Sequence, residues 1–443
     1  MRLPYTYSKI LKVALPLMLG TFIQSIVMIT DAAFLSRWST LSFDASGNAG
    51  LIYVTLFMGL TGLGDASQII MARRIGQNQR KALNPIFQSA LLVIFTVAII
   101  FFIIIQTSVG DILLSVNKSK ELAVEQMNFL TYRSFGFFFG ILMIVLNAFF
   151  LAIGKTWVIL ISTAFFALSN ILLDYLLIFG FWEIEPMGIK GAALASAISE
   201  GLTSIVLLII LFNTEERIKY RIFRRFEISK VALKNLLIVG SPLVFQGFIA
   251  LASWTVFFTF IEQMGLHDLT VSQNVRFVYF LAFVPIFGFA ATTKTYIAQY
   301  MDVKDAKVIP IIIKRIQLLI LVFLLLIFHG ALLYPEKLIA IINPNTTYIE
   351  DSARILRIMF GSIIIYGLIT PYFHTISGSG NTRTSLTIEI ISTCVYILYS
   401  YFAIYVWKWN ITGVWTVEYL YFSVVGGLSI AYLAFFNWRK KVY

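Results

Sequence analysis

Charge is scarce in this chain. Only 13% of its 443 residues are Asp, Glu, Lys or Arg, against about a quarter in an ordinary soluble domain, which excludes a fold that keeps most of its surface in water. Cysteine is nearly absent. Cys394 stands alone inside an apolar run, so neither a disulfide framework nor a cysteine metal site is available. Histidine is rare too: His267, His329 and His374 lie in separate segments. An intramembrane enzyme needs a dense catalytic cluster, such as a zinc-binding His motif or a Ser/His pair, and these three make no such spacing. The expectation is a chain that is not an enzyme and that holds no cofactor.

What fills the sequence instead is apolar: 59% of residues are hydrophobic. Runs long enough to cross a bilayer, about 20 residues each, recur along the whole length. They lie near 10–36, 47–72, 84–107, 127–151, 157–181, 189–212, 236–262, 275–299, 310–333, 353–378, 385–407 and 412–437. The first is too long and too polar inside to read as a cleaved signal, and it is expected to stay in the mature protein. The fold class that follows is an all-α polytopic membrane protein with twelve transmembrane helices.

Orientation follows from where Lys and Arg collect, because cytoplasmic loops retain positive charge. Arg73, Arg74, Arg80 and Lys81 lie between the second and third runs; Arg217, Lys219, Arg221, Arg224, Arg225, Lys230 and Lys234 lie between the sixth and seventh. Lys304, Lys307, Lys314 and Arg315 follow the eighth, and RKK at 439–441 ends the chain. Loops of the other parity are mixed or acidic, as in FWEIEP at 181–186. Both termini are therefore expected in the cytoplasm, in a multi-pass protein of the cytoplasmic membrane. The formal charge of +12 is explained by these loops, so no nucleic-acid partner is expected.

The chain also repeats itself. ALPLMLGTFIQ at 14–24 aligns with GSPLVFQGFIA at 240–250, placing Pro16 on Pro242 at an offset of 226 residues. The same offset puts GLGDASQIIMA (62–72) on GFAATTKTYIA (288–298) and FFLAIGKTW (149–157) on TISGSGNTR (375–383). After the fifth run the register slips by four, because GIKGAA at 188–193 best matches NITGVW at 410–415. Two pseudo-symmetric six-helix bundles are expected: an N-terminal lobe over 1–212 carrying a cation site, a basic cytoplasmic linker over 213–235, and a C-terminal lobe over 236–443. Parallel repeats of this kind are a transporter architecture.

Within the apolar runs a few polar residues stand out. SNILLDYLLIFG at 169–180 puts Asn170 one helical turn before Asp174, and Asp31 closes the first run. A carboxylate at bilayer depth costs roughly 3 kcal/mol on insertion scales, so both need partners. Gln24, Met28 and Asp31, spaced i, i+4 and i+7, share one helical face. Pro16 removes a backbone hydrogen bond and offers a bend. If the two faces meet, Asp31, Asn170 and Asp174 form a pocket of oxygens suited to Na+, a hard cation, or to a proton. Their repeat counterparts are Phe257, Tyr396 and Ser400, which offer no such pocket. Gln24, Met28, Asp65, Thr203 and Lys294 are candidates to line a substrate cavity. Glu200 reads as a residue at the interface of its run, and Glu389 is the carboxylate of the second half placed to titrate.

These motifs resemble the multidrug and toxic compound extrusion (MATE) transporters, over about residues 8–437. The carriers are ALPLMLGTFIQSIVMITDAAFLSRW, IIMARRIGQ, NAFFLAIGKT, SNILLDYLLIFG with MGIKGAALASAISEG, and FVPIFGFAATTKTYIAQYM. The resemblance implies a twelve-helix secondary active antiporter, working as a monomer, that exports organic, cationic or amphipathic compounds in exchange for Na+ or H+ by alternating access. It also implies that Asp31, Asn170 and Asp174 hold the cation. Some members carry acidic residues in the seventh and tenth helices, where this chain has Ala250 and the stretch GLITPYF at 367–373. The alternative is a lipid-linked saccharide flippase of the same superfamily, which lines its cavity with basic residues. Lys294, Arg133 and Arg276 are the candidates for that role.

Overall fold

The structure is a computed structural model that describes residues 2–116, 119–183, 185–302 and 307–439. Lys304, Lys440, Lys441 and Ile184, which entered the reading of topology, lie outside the described residues. Among those residues the fold is helical and contains no strand. The membrane-length helices, with α4 and α5 counted together as a bent pair, are α1 (Tyr7–Trp38), α2 (Thr40–Gly76), α3 (Arg80–Ser115), α4 (Lys120–Arg133), α5 (Gly136–Ala152), α6 (Thr156–Phe179) and α7 (Ile189–Phe212) in the first half. The second half has α8 (Lys230–Glu262), α9 (Leu266–Tyr300), α10 (Val308–Phe328), α11 (Thr346–Gly378), α12 (Thr382–Val406) and α13 (Ile411–Phe435).

The fourth apolar run, expected as one span, is two helices. α4 and α5 meet at a bend of 48°, so the structure has 11 unbroken spans, or 12 when the bent pair is read as one. The break is supported from α3. A π-turn over Ile105–Val109 presents Gln106, whose Nε2 donates to the Thr131 carbonyl at 3.1 Å and to Ser134 Oγ at 3.0 Å. Backbone groups freed at a kink need such partners in lipid, where water is absent.

The chain packs as two compact units. One is Leu19–Val244; the other is Arg2–Met18 together with the chain from Phe245 onward. These boundaries differ from the lobes drawn on the repeat. The two proline-containing helices are each divided between units, α1 after Met18 and α8 after Val244, in both cases two residues past the proline. The cause is visible in each unit. In the first, a Cβ on Gly62 of α2 would lie 2.9 Å from the backbone N of Val244; in the second, a Cβ on Gly288 of α9 would lie 3.2 Å from the carbonyl of Ala14. Gly62 and Gly288 are repeat counterparts, and only glycine permits backbones to approach so closely.

Short segments are strapped down by side chains in the same pattern. In the first unit Asn84 and Gln88 of α3 both donate to the Arg225 carbonyl, at 3.0 and 2.7 Å, while their own oxygens accept from Phe223 N and Glu227 N. In the second, Tyr300 OH donates to the Leu3 carbonyl at 2.7 Å and Arg315 donates to the Tyr5 carbonyl at 2.7 Å.

Candidate functional site

The first unit carries a polar cluster among helices that are otherwise apolar. α6 packs along α7, and α7 packs against α4 and α5, so polar residues on their facing sides are enclosed together. Asn170 and Asp174 are fully buried on α6. Asp31 of α1 lies with its carboxyl in hydrogen-bonding reach of the Asp174 carboxyl, and the Arg133 charge acts on both. Two carboxylates supply no donor to each other. Both oxygens of Asp174, Oδ1 of Asp31 and Oδ1 of Asn170 accept no hydrogen bond from the protein, while Asn170 Nδ2 donates to Ser196 Oγ of α7 at 3.4 Å.

One turn beyond the two carboxylates the surroundings turn apolar. Leu35, Ala45, Ile178, Ile189 and Ala192 form a buried cluster drawn from α1, α2, α6 and α7. Such apolar packing beside the carboxyl pair keeps the local dielectric low.

Beside the pair sits an ion pair that sequence reading did not identify. Arg133 Nη2 donates to Glu200 Oε1 at 2.6 Å and Nη1 to Oε2 at 3.1 Å, the two-pronged geometry of a strong guanidinium–carboxylate bond. Its guanidinium lies over the Tyr53 ring, 4.0 Å from the centroid, and Tyr53 in turn stacks on Phe137 at 4.7 Å. Glu200 is 3% exposed, so the expectation that it sits at a membrane interface is corrected. It is a buried counter-charge. The position of Arg133 follows from the α4–α5 break, since it is the last residue of α4. A hint was available in the sequence, because Tyr53 and Glu200 are both embedded in apolar runs, but nothing there pairs them.

The remaining candidates fall in different settings. Gln24 is exposed and Met28 is 73% exposed on α1. Thr203 is buried with its hydroxyl donating to the Ser199 carbonyl on its own helix at 2.6 Å. Asp65 is half-buried in α2. Lys294 is buried in α9 of the second unit, where its charge acts on His374. Arg276, a candidate basic residue of a flippase cavity, lies over the Phe258 and Phe277 rings at 5.0 and 5.7 Å. With Arg133 already bound to Glu200, the flippase reading loses one of its three cations.

The MatE family model matches residues 16–176 and 242–402, two segments that begin 226 residues apart. This chain belongs to the MATE family. The probable multidrug resistance protein NorM of Thermotoga maritima is 25% identical over 402 residues, covering 88% of this chain and 83% of that relative. NorM of Synechocystis sp., also described as a probable multidrug resistance protein, is 23% identical over 450 residues, covering 97% and 93%. Among solved structures, an outward-facing multidrug resistance MATE family transporter matches with a TM-score of 0.86 at 19% identity, covering 96% of this chain and 95% of that one. A MOP superfamily transporter from Pyrococcus furiosus matches with a TM-score of 0.85 at 19% identity, with the same coverage. At such identities these structures fix the fold. MATE proteins are transporters and not enzymes, so this chain is a multi-pass membrane transporter of small molecules.

Proposed function

We propose that this MATE transporter is a secondary active antiporter that exports organic, cationic or amphipathic compounds in exchange for a cation bound at Asp31, Asn170 and Asp174. The observation that carries the reading is the contact between the Asp31 and Asp174 carboxyls, from different helices, in a buried setting. Two carboxylates held together repel unless a proton or another cation lies between them. A proton is the ion supported best, because it alone turns a carboxyl–carboxyl contact into a hydrogen bond. Sodium is the second reading, supported by the all-oxygen donor set of Asp31, Asn170 and Asp174. The multidrug description of the NorM relatives supports the substrate class.

Coupling then runs through α1. Occupancy of the pair removes a repulsion that otherwise pushes α1 and α6 apart, and Pro16 lacks the hydrogen bond that would stiffen the helix. A bend there resizes the space beside Gln24 and Met28. Cation entry therefore favours substrate release, and linkage requires the reciprocal effect on cation affinity. The transporter works as a monomer in the cytoplasmic membrane; the placement of its basic loops supports both termini in the cytoplasm. Substrate efflux from proteoliposomes, with pH and Na+ gradients imposed separately, tests the reading. Efflux driven by the pH gradient alone is expected; efflux driven only by Na+ selects the second reading; efflux driven by neither overturns both.

A further inference from the structure

The second unit has buried carboxylates of its own, and they are held differently. Glu418 of α13 is 2% exposed and accepts from Tyr279 OH of α9 and Tyr396 OH of α12, each at 3.1 Å. Glu389 of α12 is also buried and accepts from Tyr421 OH of α13 at 2.6 Å. Tyr366 of α11 and Tyr421 lie within the field of both carboxyl groups. Trp254 stacks on Tyr279, and Phe257 packs against Tyr396 and Trp415. Among the described residues no Lys, Arg or His makes an ion pair with Glu389 or Glu418. Arg276, one turn before Tyr279 on α9, is engaged by phenylalanine rings instead.

A further polar group lies on the same helix face as Glu389 and Tyr396. Ser385, Glu389, Ser392 and Tyr396 line one buried face of α12, and Ser392 Oγ, fully buried between Glu389 and Tyr396, has no hydrogen-bond partner. Tyrosine hydroxyls soften the burial of a carboxylate, but they carry no charge to offset it. A buried charge without a counter-charge neutralises itself or acquires a cation. Both oxygens of Glu418 already accept a hydrogen bond from a tyrosine, and the donors around it are hydroxyls rather than further carboxylates. A proton needs no added volume, and each tyrosine or serine oxygen around the carboxyls accepts as readily as its hydrogen donates.

We propose that Glu389 and Glu418, with Tyr279, Tyr396, Tyr421 and Ser392, form a second proton-binding site in the second unit, separate from the Asp31–Asp174 pair. A hydronium ion of the solvent gives its proton to a carboxylate oxygen and leaves as water, and the resulting O–H donates to a neighbouring hydroxyl oxygen. Infrared difference spectroscopy of the purified full-length transporter across a pH titration tests this, because a protonated carboxylic acid has a carbonyl stretch set apart from carboxylate bands. Expected is an acid carbonyl signal with a component that Glu418→Gln and Glu389→Gln each reduce and that persists in Asp174→Asn protein, where the contribution of the first pair is gone. Tyr396→Phe and Tyr421→Phe keep both carboxyls and are expected to shift that signal by removing one donor, which keeps the test open if either Gln variant fails to fold. A spectrum unaltered by all four variants overturns the proposal. So does loss of the signal on adding Na+ at constant pH, which makes the site one for a monovalent metal ion.

Discussion

The two units place buried carboxylates on matching helices and give them opposite company. In the first, Asp31, Asp174 and Glu200 lie around a guanidinium; in the second, Glu389 and Glu418 lie among tyrosine hydroxyls. The repeat shows how this came about. Tyr53 corresponds to Tyr279, Arg133 to Met359, Asn170 to Tyr396 and Asp174 to Ser400; past the slip of four, Ser196 corresponds to Glu418 and Glu200 to Phe422. The Asn170–Ser196 bond of one unit thus has its counterpart in the Tyr396–Glu418 bond of the other. Tyr53 faces Arg133, whereas Tyr279 bonds Glu418. Glu200 holds the guanidinium, whereas Phe422 stacks on Tyr366 at 4.3 Å. The duplicated backbone decides which positions touch, and the side chains decide whether the contact is an ion pair, a hydrogen bond or a stack.

The sharpest way to break this comparison is to remove the carboxylates that only the first unit has at its repeat positions. Asp31→Asn and Asp174→Asn should each lower gradient-driven efflux to the leak of protein-free liposomes, while the proteins remain folded and inserted. Wild-type rates in folded Asp174→Asn protein would make that carboxylate structural glue between helices. Next in size is the ion pair. Arg133→Met leaves Glu200 buried without a counter-charge, which costs roughly 3–5 kcal/mol and should appear as a large drop in the thermal unfolding temperature in detergent. Arg133→Met combined with Glu200→Phe installs the residues found at the matching positions of the second unit, and most of that loss should return. A double variant as unstable as the single one would mean that Arg133 stabilises through Tyr53 rather than through Glu200.

A smaller effect is expected in the second unit. Glu418→Gln fixes one of the two carboxyl positions of its cluster in the neutral form, so transport should slow severalfold and lose part of its pH dependence, measured in proteoliposomes over a pH series. Total loss there would give the two units equal weight in coupling. Smallest of all, Ser196→Ala removes one long hydrogen bond, a loss of under about 1 kcal/mol. A greater shift in unfolding temperature would show that the Asn170 amide depends on Ser196 for its orientation.

Much of the molecule was legible in the chain itself. Apolar runs of bilayer length dictate spanning helices, because a backbone in lipid has to satisfy its own hydrogen bonds. The constant offset dictates duplication, down to Gly62 and Gly288, whose close approaches are repeated in the two units. Asp31 and Asp174 were legible as a set because carboxylates in apolar runs are costly enough to demand explanation. Glu200 and Glu418 are buried as well, yet the sequence reads Glu200 as interfacial and does not single out Glu418, because the Arg133 and tyrosine partners of the two are supplied only by packing.

What the sequence determined by itself is therefore what depends on one helix at a time: which segments span, which face of α1 or α6 is polar, and where a proline weakens a helix. Tertiary structure decided what depends on two. It set the break between α4 and α5 that Gln106 supports from α3, the division of α1 and α8 between packing units, and the choice of Glu200 for Arg133 and of tyrosines for Glu418. The physical reason is the range of the forces. Burial and backbone bonding act along a helix and leave a periodic record in the chain, whereas an ion pair or a shared proton acts across a few ångströms between residues far apart in sequence. Only the packing of helices brings those residues within reach.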